Sequence, residues 1–259
     1  VSLPSHTPAG FFVDLGVSAA APKHLAAAGF ADCLVRSVAQ VDWWLSHRLF
    51  GTLYKTVPYT IQEHDERELN ARAGLLPKGD VSAQGYLYRV LTLCGLGISF
   101  TGMSNHGSMG EHQISHYIDC FAGDLHKGTL HGQQVGAGVL TLGRRDGMAQ
   151  RMGAEVAAQC FAEIQPKIFD EKGAAELNAK LEALWPELRQ ELLAFIIPID
   201  EMSRLLAAAE GPMTGRDLGL PSEFYREAVV HCREMRNRYS FLDLAADAGI
   251  LEEFAAGEV

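Results

Sequence analysis

The stretch G-E-H-Q-I-S-H-Y-I-D, residues 110–119, carries His112 and His116 four positions apart, and L-H-G-Q-Q-V-G-A-G, residues 130–138, adds His131. Residues four apart on a helix share one face, so the first two histidines can point in the same direction. The third stands at the predicted start of the next helix, a natural return distance for a helical hairpin. A histidine pair alone is also typical of a solvated helix face, whereas three histidines in this arrangement indicate a shared site.

Outside these two stretches, apolar residues recur at three-to-four spacing along most of the chain, which predicts a nearly all-α fold. Helices are expected at about 22–29, 34–51 with Asp32 at its opening turn, 61–74, 80–100, 110–122, 131–146, 148–165, 174–194, 198–210 and 221–239. The run F-F-V-D-L, residues 11–15, has strand character but no partner strand in the sequence. No glycine-rich phosphate loop follows a strand, since G-L-G at 95–97 falls at the end of a predicted helix.

Composition narrows the class of protein. The chain has 259 residues, is 47% hydrophobic and carries a net charge of −10, so we expect a globular core and no nucleic-acid partner. No apolar run approaches the roughly 20 residues of a membrane span, and the first residues lack the features of a signal peptide. The five cysteines are odd in number and widely spaced, which favours buried thiols in a reducing cytosol. A cytoplasmic location without membrane contact is therefore predicted.

Imidazole nitrogens together with a carboxylate are typical ligands of a divalent metal ion. The stretch H-Q-I-S-H lacks the glutamate of the H-E-x-x-H zinc protease motif, so the ion is expected to serve other chemistry. Four acidic residues are candidates for the carboxylate ligand, and spacing alone does not choose among them: Glu111, Asp119, Asp124 and Asp32.

Several ordered motifs together resemble the metal-binding half of the iron-containing alcohol dehydrogenase superfamily. They are G-F-A-D-C-L (29–34), G-E-H-Q-I-S-H (110–116), L-H-G-Q-Q-V-G-A-G (130–138), V-D-W-W-L (41–45) and the segment from R-N-R-Y to A-G-I-L (236–251). The likeness is greatest to the sn-glycerol-1-phosphate dehydrogenase family, with glycerol dehydrogenase and 3-dehydroquinate synthase as further members. It extends over nearly all of the chain.

The resemblance implies a fold and a set of site residues. It implies metal ligation by Asp32, His112 and His131, and a catalytic place for His116 near the nicotinamide and the substrate. It also implies that residues 21–259 form the all-α metal-binding domain of the dehydroquinate synthase-like fold. Residues 1–20 would then be the last strand and the linker of an N-terminal α/β domain that binds the nicotinamide dinucleotide.

The implied function is that of a metal-dependent oxidoreductase. A divalent ion, zinc or alternatively iron or nickel, acts as a Lewis acid while hydride passes between NAD(P) and a secondary hydroxyl of a small polyol or polyol phosphate. A homo-oligomer is also expected. Two alternatives stay open: a 3-dehydroquinate synthase-like lyase, and a non-enzymatic helical module that has lost its cofactor domain.

The chain departs from the family pattern at two places. Its loop S-N-H-G-S-M-G, residues 104–110, has Asn105 and His106 where the family has an arginine–proline pair. Loss of that arginine removes a bidentate partner for a phosphate and argues against a phosphorylated substrate. Gln133 stands where the family has a glutamate beside the last histidine ligand, so weaker orientation of His131 is expected.

Overall fold

The computed structural model describes residues 6–143 and 171–257, and these residues form helices with no strand among them. The α-helices are α1 (Leu15–Ala20), α2 (Lys23–Cys33), α3 (Arg36–Phe50), α4 (Val57–Ala71), α5 (Val81–Thr101), α6 (Gly110–Phe121), α7 (His131–Gly143), α8 (Glu171–Ala194), α9 (Ile199–Ala208), α10 (Ser222–His231), α11 (Phe241–Asp247) and α12 (Leu251–Gly257). Short 3₁₀ turns lie at Ala73–Lys78, Asn105–Gly107, Gly123–Leu125 and Cys232–Met235. The prediction of an all-α chain is confirmed for the described residues.

The strand predicted at residues 11–15 is wrong for this structure. Residues 11–14 are irregular, and α1 begins at Leu15. The Asp14 carboxylate accepts hydrogen bonds from the backbone N–H groups of Gly16 and Val17, which stabilises a helix start at this point. A short apolar run without a neighbouring strand has no ladder to join, so this local cap decides the conformation.

The long helices agree with the predicted periodicity, and the differences lie at their ends. The helix predicted at 61–74 begins earlier, at Val57, because proline is favourable in a first turn. The helix predicted at 221–239 ends at His231, and the chain then continues through a 3₁₀ turn into α11 and α12, which the sequence pattern did not predict. The helix predicted at 148–165 and the end of the one at 131–146 lie outside the described residues.

Helix α7 packs against α2 on one side and α6 on the other through its glycines. A methyl group at Gly132 would lie 2.1 Å from the backbone oxygen of Ala28 in α2, and one at Gly138 would lie 2.9 Å from that of Glu111 in α6. Any side chain larger than hydrogen would push these helices apart. The close approach brings the end of α2 and the beginnings of α6 and α7 to one place.

The buried carboxylate of Asp42, in α3, fixes the starts of two further helices. One oxygen accepts from the N–H of Gly110 at 3.1 Å and the other from the N–H of Phe241 at 3.0 Å. These are the first residues of α6 and α11, whose N–H groups have no partner inside the helix. Asp42 therefore ties the helix with the two spaced histidines to the C-terminal part of the chain.

No described helix combines the length and the apolar composition needed to cross a membrane. The cysteines differ in environment: Cys232 is buried as predicted, Cys33 and Cys94 are half-buried, and Cys120 is exposed, contrary to the prediction. Cys120 lies on the exposed face of α6 near its end, where Tyr117 and Ile118 take the buried positions, and Cys160 lies outside the described residues.

Candidate metal centre

Three residues predicted as metal ligands come together where α2 ends and α6 and α7 begin. Asp32, His112 and His131 each offer one ligand atom, and these atoms all lie within 4.8 Å of one another. Asp32 is half-buried, His112 is buried and His131 is exposed. One side of the cluster is therefore closed by protein, and the side at His131 is open.

The donor atoms fit a divalent metal ion. Oδ1 of Asp32 is buried and accepts no hydrogen bond in the described part of the chain, and it lies 3.5 Å from Nε2 of His112. Tetrahedral ligands at about 2.0 to 2.2 Å from zinc are themselves about 3.4 Å apart. A buried carboxylate oxygen without a partner is costly, and a cation between it and the imidazole removes that cost.

Glu111 holds the ring of His112. Its Oε1 accepts from Nδ1 of His112 at 2.7 Å and from the backbone N–H of Met109 at 2.8 Å. With the proton on Nδ1, the lone pair of Nε2 faces Asp32. Burial works against the charged form of Glu111, but these hydrogen bonds outweigh it and its pKa lies below the ordinary value. This carboxylate therefore orients a histidine.

Ser115 and Gln134 hold the ring of His131. The Ser115 hydroxyl donates to Oε1 of Gln134 at 2.7 Å and lies 3.0 Å from Nδ1 of His131. The Gln134 amide nitrogen donates to the carboxylate of Asp119 at 3.0 Å, which fixes the direction of the amide. The hydroxyl is thus left to accept from His131, and Nε2 keeps its lone pair.

The predicted role of position 133 beside His131 requires a correction. The Gln133 side chain accepts a hydrogen bond from the backbone N–H of Leu130 at 2.9 Å, so it caps the start of α7. Orientation of His131 comes from Ser115 and Gln134, which sequence reasoning missed. Ser115 and Gln134 lie 19 positions apart on different helices, so no local pattern links them, and only the packing of α6 on α7 reveals the pair.

His116 lies beside the cluster. Its ring centroid is 6.4 Å from that of His112 and 6.3 Å from that of His131, and the side chain is half-buried. Burial, then the charge of Arg236, lowers its pKa to about 4. The imidazole is therefore neutral near pH 7.

The polar loop before α6 is organised differently from the sequence expectation. His106 is a buried core residue: its Nε2 donates to the backbone oxygen of Cys94 at 2.9 Å, and its ring packs near Trp43. Arginines reach the loop from the other end of the chain. Arg236 donates to Oγ of Ser108 at 2.8 Å, and Arg238 donates to Oγ of Ser104 at 2.9 Å.

No family model matches the chain. Curated relatives named glycerol-1-phosphate dehydrogenase [NAD(P)+] do match it. The one from Bacillus licheniformis is 27% identical over 252 residues, covering 94% of this chain and 55% of the relative. The one from Methanospirillum hungatei is 24% identical over 246 residues, covering 94% and 54%. The one from Methanoculleus marisnigri is 34% identical over 140 residues, covering 54% and 38%.

The chain is similar in sequence to these dehydrogenases. The resemblance inferred from the motifs, to glycerol-1-phosphate dehydrogenases within the iron-containing alcohol dehydrogenase superfamily, is therefore confirmed. The chain spans about half the length of the curated relatives that it matches over most of its own length.

Proposed function

We propose that the chain binds one divalent metal ion through Asp32, His112 and His131 and is the metal-binding part of an NAD(P)-dependent polyol-phosphate dehydrogenase. The observation that carries the proposal is the buried, unpartnered oxygen of Asp32 facing a histidine nitrogen whose tautomer is already set. The names of the relatives support the reaction and the cofactor. All-α folding of the described residues agrees with the metal-binding domain expected of residues 21–259.

The ligand set suits several metals. One carboxylate and two imidazoles are ligands of zinc, and they also suit iron(II) and nickel. When bound, the ion supplies a Lewis acid that lowers the pKa of a substrate hydroxyl or polarises a ketone. We propose zinc as the resident ion, because the cluster has three protein ligands and one open side, as in catalytic zinc sites.

The chain's own residues supply orientation and a proton acceptor. Glu111 and Ser115 hold the two ligand imidazoles in the tautomer that a metal requires. We propose that His116 relays the proton released when the substrate hydroxyl is oxidised; with a pKa of about 4 it passes the proton on and does not retain it near pH 7. The closed side of the cluster keeps water away from His112, which is buried.

Two further predictions about the whole protein remain proposals. We propose a homo-oligomer and a cytoplasmic location, as expected from the sequence. The lyase alternative shares the metal ligands but regenerates its cofactor in each cycle. Net reduction of added NAD(P)+ in the presence of glycerol 1-phosphate, measured on the natural protein, separates the two because a lyase gives none.

The first test is the metal content of the chain. We expect elemental analysis after dialysis against excess zinc and then buffer to give about one ion per chain, and His112→Ala to lose it. His231→Ala is the matched control, because His231 is an exposed histidine paired with Glu234 outside the cluster. Equal metal content in the unmodified chain and in His112→Ala would contradict the proposed site.

A further inference from the structure

Two arginines from the segment after α10 reach the loop in front of the metal cluster. Arg236 donates to the hydroxyl of Ser108, and Arg238 donates to the hydroxyl of Ser104 and to the backbone oxygen of Ser108. Both guanidinium groups are half-buried. All the loop atoms to which the two arginines donate are oxygens without charge.

The charge of this pair has no ion-pair partner in the part of the chain that the structure describes. Burial lowers the pKa of Arg236 and, together with repulsion from Arg236, lowers that of Arg238 to about 10. Glu111 attracts both arginines, but among the described residues neither guanidinium forms a hydrogen bond or ion pair with its carboxylate, whose Oε1 accepts from His112 and Met109. Two half-buried cations with neutral partners favour a bound anion.

The two arginines have different contacts and hence different tasks. Arg238 uses two guanidinium nitrogens on the loop, which fixes the backbone at Ser108 and the side chain at Ser104. Arg236 forms one hydrogen bond, to Ser108, among the described residues. Since a guanidinium has five N–H donors, Arg236 retains a fork that can meet two oxygens of a phosphate.

Arg236 contacts Ser108, two residues before the start of α6, the helix that carries His112 and His116. It is the charged group that most affects His116, whose ring lies about as far from the ring of His112 as from that of His131. At the start of α6, the N–H groups of Gly110 and Met109 already donate to Asp42 and Glu111.

We propose that Arg236 binds the phosphate of a polyol phosphate whose hydroxyl lies at the metal cluster, while Arg238 holds the loop in the shape that permits it. The proposal rests on the proposed dehydrogenase function. It also accounts for a departure from the family pattern. Asn105 and His106 stand where the family has an arginine and a proline, and Arg236 supplies the missing positive charge.

The test compares phosphate binding with metal binding in the same preparations. The probes are inorganic phosphate, glycerol 1-phosphate and glycerol, each titrated calorimetrically into the zinc-loaded chain, and inorganic phosphate titrated into the chain treated with EDTA. We expect Arg236→Met to weaken binding of glycerol 1-phosphate and of phosphate by about 10- to 100-fold, the loss typical of a charge-assisted hydrogen bond. Zinc content and glycerol binding should stay unchanged.

Two further variants make the result specific. Arg236→Lys keeps the charge but loses the forked pair of N–H donors. Its affinity for glycerol 1-phosphate should therefore lie between those of the unmodified chain and Arg236→Met. Arg226→Met removes an exposed arginine paired with Glu252 and controls for the change in net charge. Thermal melts show whether each variant folds. If Arg236→Met does not fold, Arg236→Lys is compared with the unmodified chain instead.

The outcomes separate the anion site from the metal site. Retained phosphate affinity in Arg236→Met and in Arg236→Lys overturns the anion site whether or not zinc binds, and so does a wild-type chain that binds neither phosphate nor glycerol 1-phosphate. Phosphate binding that depends on Arg236 in a chain that holds no zinc supports the anion site and contradicts the proposed dehydrogenase function.

Discussion

Single hydrogen bonds decide whether the two histidines can bind a metal. A neutral imidazole has one protonated and one unprotonated nitrogen, and only the unprotonated one is a ligand. Glu111 holds the proton of His112 on Nδ1, and Ser115 does the same for His131. The ring of His131 is the more dependent on its partner, because that side chain is exposed while His112 is packed in the interior.

We expect Ser115→Ala to weaken zinc binding by about 10- to 100-fold, the usual effect of removing a group that orients a ligand. The substitution removes the acceptor for Nδ1 of His131 and leaves the Gln134 oxygen without its donor. Competition with a chromophoric chelator measures the affinity.

Ser37→Ala is the matched control for this prediction. Ser37 is buried as well, and its hydroxyl contacts the sulfur of Met202, which belongs to α9 and lies outside the metal cluster. Both substitutions delete one buried hydroxyl, so both are expected to lower the free energy of unfolding by about 1 kcal/mol. An equal loss of zinc affinity in the two variants would show that Ser115 acts through stability alone.

Helix α7 places His131 at its first residue, so the contact of α7 with α2 sets the distance between His131 and Asp32. We expect Gly132→Ala to destabilise the fold by about 1 to 3 kcal/mol, the usual cost of overpacking, because the added methyl group meets the backbone oxygen of Ala28. Zinc affinity should fall as well, because the two helices must separate. Chemical unfolding and zinc titration measure the two effects.

Gly95→Ala is the control at the element scale. Gly95 lies in α5, is exposed, and an added methyl group there meets nothing within 4 Å. Since alanine favours a helix over glycine by about 1 kcal/mol, this variant should be more stable than the unmodified chain and should bind zinc equally well. A Gly132→Ala protein as stable as Gly95→Ala would contradict the packing argument.

Elements with strong periodicity were predictable from the sequence, and elements fixed by single contacts were not. The apolar repeat of α3 predicted the end of that helix to within a residue, but Asp32, expected in its opening turn, lies in the last turn of α2. Helices α11 and α12 have seven residues each, too few for a period to emerge, and α11 depends on a cap from Asp42 some 200 positions earlier. The prediction of a strand at 11–15 was wrong because the apolar residues around Asp14 gave no indication that its side chain caps a helix.

At the scale of the whole molecule, the candidate site joins residues that lie far apart in sequence. Spacing alone predicted that His112 and His131 would meet across a hairpin, but left four carboxylates open. Asp32 is brought to them by the packing of α2 on α7, and no local pattern encodes that distance. The family resemblance supplied this choice, whereas the contacts of Arg236 follow only from the three-dimensional structure.

The dependence of stability on pH is a whole-molecule property to which Asp243 contributes measurably. Its carboxylate caps α11 by accepting from the N–H and hydroxyl groups of Ser240, with Arg233 at 3.9 Å. Burial nevertheless raises its pKa from 3.8 to about 6. Between these two values the folded chain holds a proton that the unfolded chain has released, so the free energy of unfolding falls as pH rises.

We expect Asp243→Asn to remove this dependence, since the amide oxygen can still accept from Ser240 but carries no charge. The stability of the variant relative to the unmodified chain should increase by about 2 to 3 kcal/mol between pH 4 and pH 7. Urea unfolding in the presence of EDTA measures the difference in stability between the two chains. Both chains contain the same histidines, so the titration of those residues does not contribute to the difference. Asp217→Asn, at an exposed carboxylate that also accepts from backbone N–H groups, controls for the amide itself. A difference between Asp243→Asn and the unmodified chain that stays constant over this range would mean that Asp243 is ionised throughout, and that its bonds to Ser240 and its proximity to Arg233 outweigh burial.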